Sequence, residues 1–411
     1  MSELPPRRQK PKFKEHKPLF NRTYLKYLAF IVAIAIVILS KKPPAPLDQP
    51  QALLNSISAL QVLKVDELPQ SRLLLSFLSN PALSPAAKVQ RSIEYQALRQ
   101  AAANSPHFQS VLWTYDRLEV ELRWPASAHT SNTDAQQLSL TQKLAALQKQ
   151  ALLGITDQDR KLMIAEHYLQ NNTAENALLN KLTANLSEFY PGSTGLAKAF
   201  QTSPAALLIT DSESSEPFIK ALDQQFAAIS SKPAASFPSI HQWRAGNTSF
   251  TARSEQYKLL IASELNAVSN QTNRLELLSH FVLSEVLKTQ NMPFRLIRQP
   301  IFSHGYQVLI LSSKQKISSS AIEQINRQLQ QADLEDIVLK VKDRLLDAYR
   351  SLVQDRERLF KLYSKKQFYR LITESDSEYQ EQLDTITLEQ IKQQIDTLLS
   401  AKIYSIRLQP S

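Results

Sequence analysis

The chain has 411 residues, no cysteine, 5 glycines, 21 prolines, and 48 Lys+Arg against 38 Asp+Glu. That length suits two or three domains. The missing thiols exclude disulfides, thiolate metal sites and Cys nucleophiles, and no G-x-G-x-x-G or Walker-type phosphate loop is present. Of the formal charge of +10, residues 1–42 carry +8, with ten Lys/Arg against Glu3 and Glu15, which leaves +2 for the other 369 residues. A nucleic-acid footprint would place its basic excess on the folded part, so nucleic acid is not an expected partner.

Residues 1–24 read as a basic cytoplasmic tail. Residues 25–40, LKYLAFIVAIAIVILS, are almost wholly apolar and read as a transmembrane anchor. The run is short beside the ~20 residues of a typical span, and Tyr24, Tyr27 and a snorkelling Lys26 extend it into the interface. Eight basic residues (Lys26 included) lie before the apolar run and Lys41 and Lys42 follow, which places the N-terminus in the cytoplasm by the positive-inside rule. No small-x-small cleavage site follows, which favours an uncleaved signal-anchor over a signal peptide. The Pro-rich linker 41–54 is a stiff spacer. In a Gram-negative bacterium the anchor would lie in the inner membrane and the body in the periplasm.

The rest of the chain reads as one kind of unit used twice. In the first, 55–230, strands are expected at 60–65 and 72–78, a helix at 85–102, and one long β stretch at 110–124 with alternating Leu118, Val120, Leu122 and Trp124. A polar loop at 129–134 follows, then helices at 135–153 and 156–186, the second interrupted near Asn171. Pro191, Gly192 and Gly195 mark a loop. A strand at 205–210 and a helix at 216–229 close the unit. A linker at 231–240 leads to the second unit, 241–411. There a strand is expected at 255–263 and an amphipathic helix at 273–287, with Leu275, Leu278, Val282 and Val286 on one face. Strands at 294–298 and 306–312, helices at 318–330, 334–362 and 387–400, and a strand at 403–408 follow. Thr387 and Gln390 form a capping-box pattern. The fold class is α+β: two homologous domains, each an antiparallel sheet with helices on one side, preceded by one N-terminal transmembrane helix.

Three short segments fit this order. Arg91-Ser92-Ile93-Glu94-Tyr95 has the spacing of the inverted zinc motif H-x-x-E-H, on a helix after a strand. Trp113-Thr114-Tyr115-Asp116 precedes a strand, and Asp159 to His167 lies on a later helix. With them the chain resembles the insulinase (pitrilysin-type) metallopeptidase family over about 55–411. The resemblance implies two α+β domains around a peptide chamber. It implies that Arg91 and Tyr95 stand where the two His ligands of zinc would be, that Glu94 stands at the water-activating Glu, and that Glu166 stands at the third ligand. Tyr95 and Glu166 are 71 residues apart, a few short of the family's spacing. In the second domain, Arg298 and Tyr306 are the match to the family's substrate-binding Arg and Tyr, one residue further apart than usual. Core packing is the alternative reading for both.

Zinc hydrolysis needs three protein ligands and a bound water. A guanidinium has no lone pair to donate, and no two of the seven histidines are spaced by three or four. No metal, cofactor or catalytic residue is therefore expected, and the chain reads as a pseudo-peptidase. Two readings of Arg91 stand open. It replaces the metal's charge between Glu94 (at i, i+3) and Glu166, or all three are ordinary solvated helix residues. The expected function is that of a membrane-anchored, catalytically inactive protein that binds a peptide or protein partner, with an active zinc peptidase subunit of the same family as one such partner. The alternatives are an active peptidase whose metal site a partner chain completes, and a structural envelope scaffold.

Overall fold

The computed structural model describes residues 55–57, 60–125, 139–170, 173–186, 195–214, 216–230, 246–289, 292–302, 305–318, 320–371, 374–400 and 404–411. The expected tail 1–24, anchor 25–40, linkers 41–54 and 231–240, loop 129–134 and Pro191-Gly192 lie outside the described residues. No helix among the described residues is long and apolar enough to cross a membrane.

The first half runs β1 (Asn55–Ile57), β2 (Leu60–Val65), β3 (Gln70–Leu78), α1 (Pro85–Ala103), β4 (Phe108–Trp113), β5 (Arg117–Pro125), α2 (Leu140–Leu153), α3 (Asp157–Gln170), α4 (Ala174–Leu186), α5 (Leu196–Ala199), β6 (Ala205–Asp211) and α6 (Glu216–Ser230). The second half runs β7 (Gly246–Ala252), β8 (Tyr257–Leu265), α7 (Asn270–Lys288), β9 (Phe294–Gln299), β10 (Gly305–Ser313), α8 (Ser320–Gln331), α9 (Leu334–Gln354), α10 (Arg356–Phe368), α11 (Asp376–Asp384), α12 (Leu388–Leu399) and β11 (Tyr404–Pro410).

The sheets are ordered β1-β2-β6-β3-β5-β4 and β7-β11-β8-β10-β9. With β1 set aside, the two orders match strand for strand, so the repeat read from the sequence is present in the topology. Neither sheet is purely antiparallel as expected: β2 pairs parallel with β6, and β7 with β11. The cause is geometric, because a late strand inserted between two opposed strands must run parallel to one of them.

The expectation of helices on one side alone also needs correction. On one face of the first sheet, Leu73, Leu75, Phe77, Val120 and Leu208 pack with α1, α2 and α6. On the other face Leu63, Val65, Leu74, Leu207 and Ile209 meet Phe360 and Tyr363 of α10. The second sheet mirrors this. Leu259, Ile261, Leu309 and Leu311 pack with α7, α8, α9 and α12, whereas Leu260, Ala262, Val308 and Ile310 meet Leu178, Leu182 and Leu186 of α4. Each half thus lends one helix to the far face of the other half's sheet. Burial on both faces explains why β6, β8 and β10 carry near-continuous apolar runs rather than alternation.

The long β stretch expected at 110–124 is a hairpin, β4–β5, turned at Thr114–Asp116, where the Thr114 amide and hydroxyl both donate to the Arg117 carbonyl (2.8 and 3.1 Å). The single helix expected at 334–362 is two, because Asp355 caps the second by accepting from the Arg358 amide (3.1 Å). The capping box at Thr387 and Gln390 is formed. β1, β7, α5 and α11 were not expected. β7 is a half-exposed edge strand with a weak apolar pattern, GNTSFTA, and α11 buries only Leu383.

Phe360 is buried at the centre of the α10 contact. Phe360→Ala is expected to lower unfolding free energy by about 3–5 kcal/mol, read from the denaturant midpoint. A loss below ~1 kcal/mol would mean that α10 is not part of the core.

Candidate functional site

α1 carries Arg91, Glu94 and Tyr95. The Ser84 hydroxyl accepts from the Ala87 amide (3.2 Å) and Pro85 opens the helix, which suits N-cap and first-turn preferences. Ile93, Ala97, Leu98, Ala101 and Ala102 are its buried residues on the apolar side.

Arg91 leaves this helix toward the loop after β3 and the β4–β5 turn. Its guanidinium donates to the Tyr115 carbonyl (2.8 Å), to the Ser79 hydroxyl (3.0 Å) and to the Asn80 carbonyl. It also stacks over the Trp113 ring, 5.0 Å from its centre, and Trp113 donates to the same Ser79 hydroxyl (3.0 Å). Burial pulls the Arg91 pKa down to about 10, with Tyr115, Asp116 and Glu94 opposing the shift, so it stays charged at neutral pH. Glu94 is 7% exposed. Its two oxygens accept from the Gln90 side chain (2.6 Å) and the Leu196 amide (2.7 Å). Tyr95 packs on the first core and donates to the Val111 carbonyl (3.4 Å).

Glu166 lies exposed on α3, a helix with no buried residue of its own. The Arg91 guanidinium is directed to Tyr115, Ser79 and Asn80 rather than to Glu94 or Glu166. Of the two readings left open for Arg91, the carboxylate–arginine–carboxylate arrangement is not what holds it; backbone carbonyls and Ser79 do. Arg91, Glu94 and Tyr95 do not fit a metal ion. Arg91 has no lone pair to give, the Tyr95 hydroxyl is spent on a carbonyl, and the Glu94 carboxylate is occupied. Among the described residues no three His, Asp or Glu gather into a possible metal site.

Arg298 and Tyr306 do not converge. In the β9–β10 register Tyr306 faces Gln299 and Gln307 faces Arg298, and successive strand residues point to opposite faces. Arg298 therefore turns to α7, where it donates to Glu276 (2.8 Å) and Asn273 (2.9 Å). Burial raises the Glu276 pKa, and Arg298 opposes that. Tyr306 turns to the other face, 6% exposed, with its hydroxyl 2.9 Å from that of Tyr115. Gly305 fixes this register, since a Cβ there would run into the Gln299 carbonyl and Pro300.

That tyrosine pair belongs to a polar seam between the halves that the sequence did not single out. The Asp116 carboxylate accepts from the Phe302 amide (2.8 Å) and the Tyr369 hydroxyl (3.0 Å). Burial raises its pKa, and these two donors oppose the rise. Ser364 of α10 donates to Glu119 (3.0 Å). The one sequence signal was Trp113-Thr114-Tyr115-Asp116, where Tyr115 and Asp116 reach across the seam.

Lys88, one turn before Arg91, ties α1 to α4 by donating to Asn180 and Thr183, both at 2.8 Å. Burial pushes its pKa down to about 8 from 10.5.

No protein-family model matches the chain, and no curated protein matches it in sequence. Solved structures share its fold. A peptidase M16 inactive domain from Pseudomonas fluorescens superposes with a TM-score of 0.59 at 14% identity, over 86% of this chain and 95% of that one. A protease from Helicobacter pylori gives 0.58 at 9% identity, over 86% and 97%. A ferredoxin protease in complex with Arabidopsis ferredoxin gives 0.53 at 13% identity, over 86% of this chain and 44% of that one.

Arg91→Ala leaves the Asn80 and Tyr115 carbonyls without their donor and is expected to cost roughly 2–4 kcal/mol in denaturant unfolding. Arg91→Lys should not restore it, because an ammonium cannot reproduce the planar fork; full rescue by Lys would count against the geometry. For Lys88, the folded pKa of about 8 lies below the unfolded 10.5, so the native chain holds fewer protons between those values. Stability then rises with pH across that window. The difference between the wild type and Lys88→Met should shift in favour of the wild type from pH 8 to 10.5, and a flat difference would refute the burial of this amine.

Proposed function

We propose that this chain, which has the M16 peptidase fold expected from its insulinase-type resemblance, is a membrane-anchored, catalytically silent protein that works by binding a protein or peptide partner. The observation that carries this reading is the fate of the three motif positions. Arg91 is locked onto Ser79, Asn80 and Tyr115. The carboxylate at the place of the general base is buried and turned to Gln90 and the Leu196 amide, which leaves it poorly placed to take a proton from a bound water. The likeness to a solved inactive domain of the M16 type supports the same reading.

The proposal places the N-terminus in the cytoplasm, residues 25–40 in a bacterial inner membrane and the body in the periplasm. It rests there on the basic residues before the apolar run. The partner contact is assigned to the outer side of α2 and α3. Leu152, Leu153, Leu162 and Leu169 are exposed there by 45, 75, 56 and 74%, and Leu162 and Leu169 share a helix face. Large apolar side chains gathered on one surface mark interaction sites. Arg298 and Tyr306 are not assigned to a bound peptide, because one is paired with Glu276 and the other with Tyr115. An active zinc peptidase of the same fold is the partner to test first.

The purified chain is expected to cleave no peptide with or without added zinc, in a fluorogenic assay; zinc-dependent turnover would overturn the silent assignment. Mild-detergent capture of the full-length chain from its own membranes is expected to bring a stoichiometric protein partner, and Leu162→Glu with Leu169→Glu is expected to release it. Capture of no protein at all would end the partner reading. Retention of the partner by the double variant would move the contact elsewhere.

A further inference from the structure

An open groove of about 830 Å³ lies between α1, α3 and α4, away from the seam and from the outer leucines. Its apolar walls are Pro85, Val89, Ile93, Ile164, Tyr168 and Ala177. Its polar wall residues include Arg160, His167 and Asn180, and none of its described lining residues is Asp or Glu. Lys88 stands directly behind that wall, donating to Asn180 at 2.8 Å. Its charge also reaches the other side, since the His167 pKa is lowered first by burial and then by Lys88.

Carboxylates on the three surrounding helices are engaged elsewhere. Glu94, the one acid of α1, holds the Leu196 amide. Glu175, the one acid of α4, is paired with Lys258 (3.2 Å) and Arg295 (2.9 Å). Asp159 of α3 accepts from Thr156. Asp157 and Glu166 do not line the groove. The groove is therefore an apolar trough with Arg160 on its wall, Lys88 behind Asn180 and Glu94 behind Gln90, and no lining carboxylate among the described residues.

We infer that this groove binds an amphiphilic carboxylate, with its acyl chain along Val89, Ile93 and Ile164 and its carboxylate at the Asn180 wall, where Lys88 stands. The volume falls within the range of small-ligand sites, ~300–1,000 Å³. Complementarity decides the ligand class. Apolar walls alone would take any hydrophobe, but a half-buried ammonium held only by the neutral acceptors Asn180 and Thr183 gains most from an anion. A cationic amphiphile would meet like charge and be rejected.

The test reads Lys88 directly in the full-length chain, in its own membrane vesicles. An acetylating N-hydroxysuccinimide ester is applied with and without dodecanoate or dodecanol, and Lys88 is followed by mass spectrometry. Dodecanoate is expected to slow acetylation of Lys88 at least tenfold, while dodecanol leaves it unchanged. Ile164→Trp, which fills the trough at an exposed position, is expected to abolish the protection. Equal protection by dodecanol, or protection that survives Ile164→Trp, or no protection at all, would overturn the inference. If Lys88 resists the reagent throughout, calorimetry of dodecanoate binding to the wild type and to Lys88→Met decides. A tenfold or greater loss of affinity in the variant is expected, and equal affinities or no binding to either would overturn it.

Discussion

Both sheets are buried on two faces, and in each case the second face is covered by a helix that belongs to the other half of the chain. α10 lies on the first sheet through Phe360 and Tyr363, and α4 lies on the second through Leu178, Leu182 and Leu186. Without this exchange, β6, β8 and β10 would present apolar residues to water on one side, which no soluble sheet of that composition tolerates. Each half thus completes the cover of the other half's sheet. The seam residues Tyr115, Asp116, Glu119, Tyr306, Ser364 and Tyr369 meet where they do because the two crossed helices hold the sheets in register.

The polar seam has a definite chemical logic. A buried carboxylate is costly unless its oxygens are satisfied. Asp116 has the Phe302 amide and the Tyr369 hydroxyl, and Glu119 has Ser364 and, 3.6 Å away, Arg117. Each of these pairs joins residues that are near in space only because the halves have closed on each other, apart from Arg117 with Glu119. The tyrosine that the family resemblance placed against a substrate has instead become part of that closure.

The helix α1 puts the side chains at 91, 94 and 95 to structural use. The same i, i+3, i+4 spacing that gathers two ligands and a base around a metal here sends three side chains to three different places. Arg91 goes to loop carbonyls, Glu94 to a backbone amide and Tyr95 to the core. Each bonds to at least one backbone atom, although the Arg91 Nε stays unpartnered, so the gain is in holding the loop after β3, the start of α5 and strand β4 against one helix. Such networks are stabilising only when complete. Nearby, α3 has no buried side chain among those described, and its Leu162 and Leu169 are exposed.

Much of this was written locally in the sequence. Apolar periodicity, Ser and Thr caps and the two passes of strand, helix and further β structure set out most elements, since these depend on residues near one another in the chain. The motif positions at 91, 94 and 95, and their inability to hold a metal, were also legible, because a guanidinium lacks a lone pair in any fold. What the tertiary structure alone decided was which distant groups meet. The β9–β10 register put Arg298 and Tyr306 on opposite faces, although eight residues of sequence could not show it. α10, RERLFKLYSKKQF, reads as a polar helix, yet it is buried because the first sheet needs a cover. Arg91 chose carbonyls over Glu166 because the β4–β5 turn brings the Tyr115 carbonyl within 2.8 Å, while the Glu166 side chain stays in water. Chain-local chemistry is a property of residue types, whereas partner choice among buried polar groups is set by packing, and packing exists only once the halves have exchanged their helices.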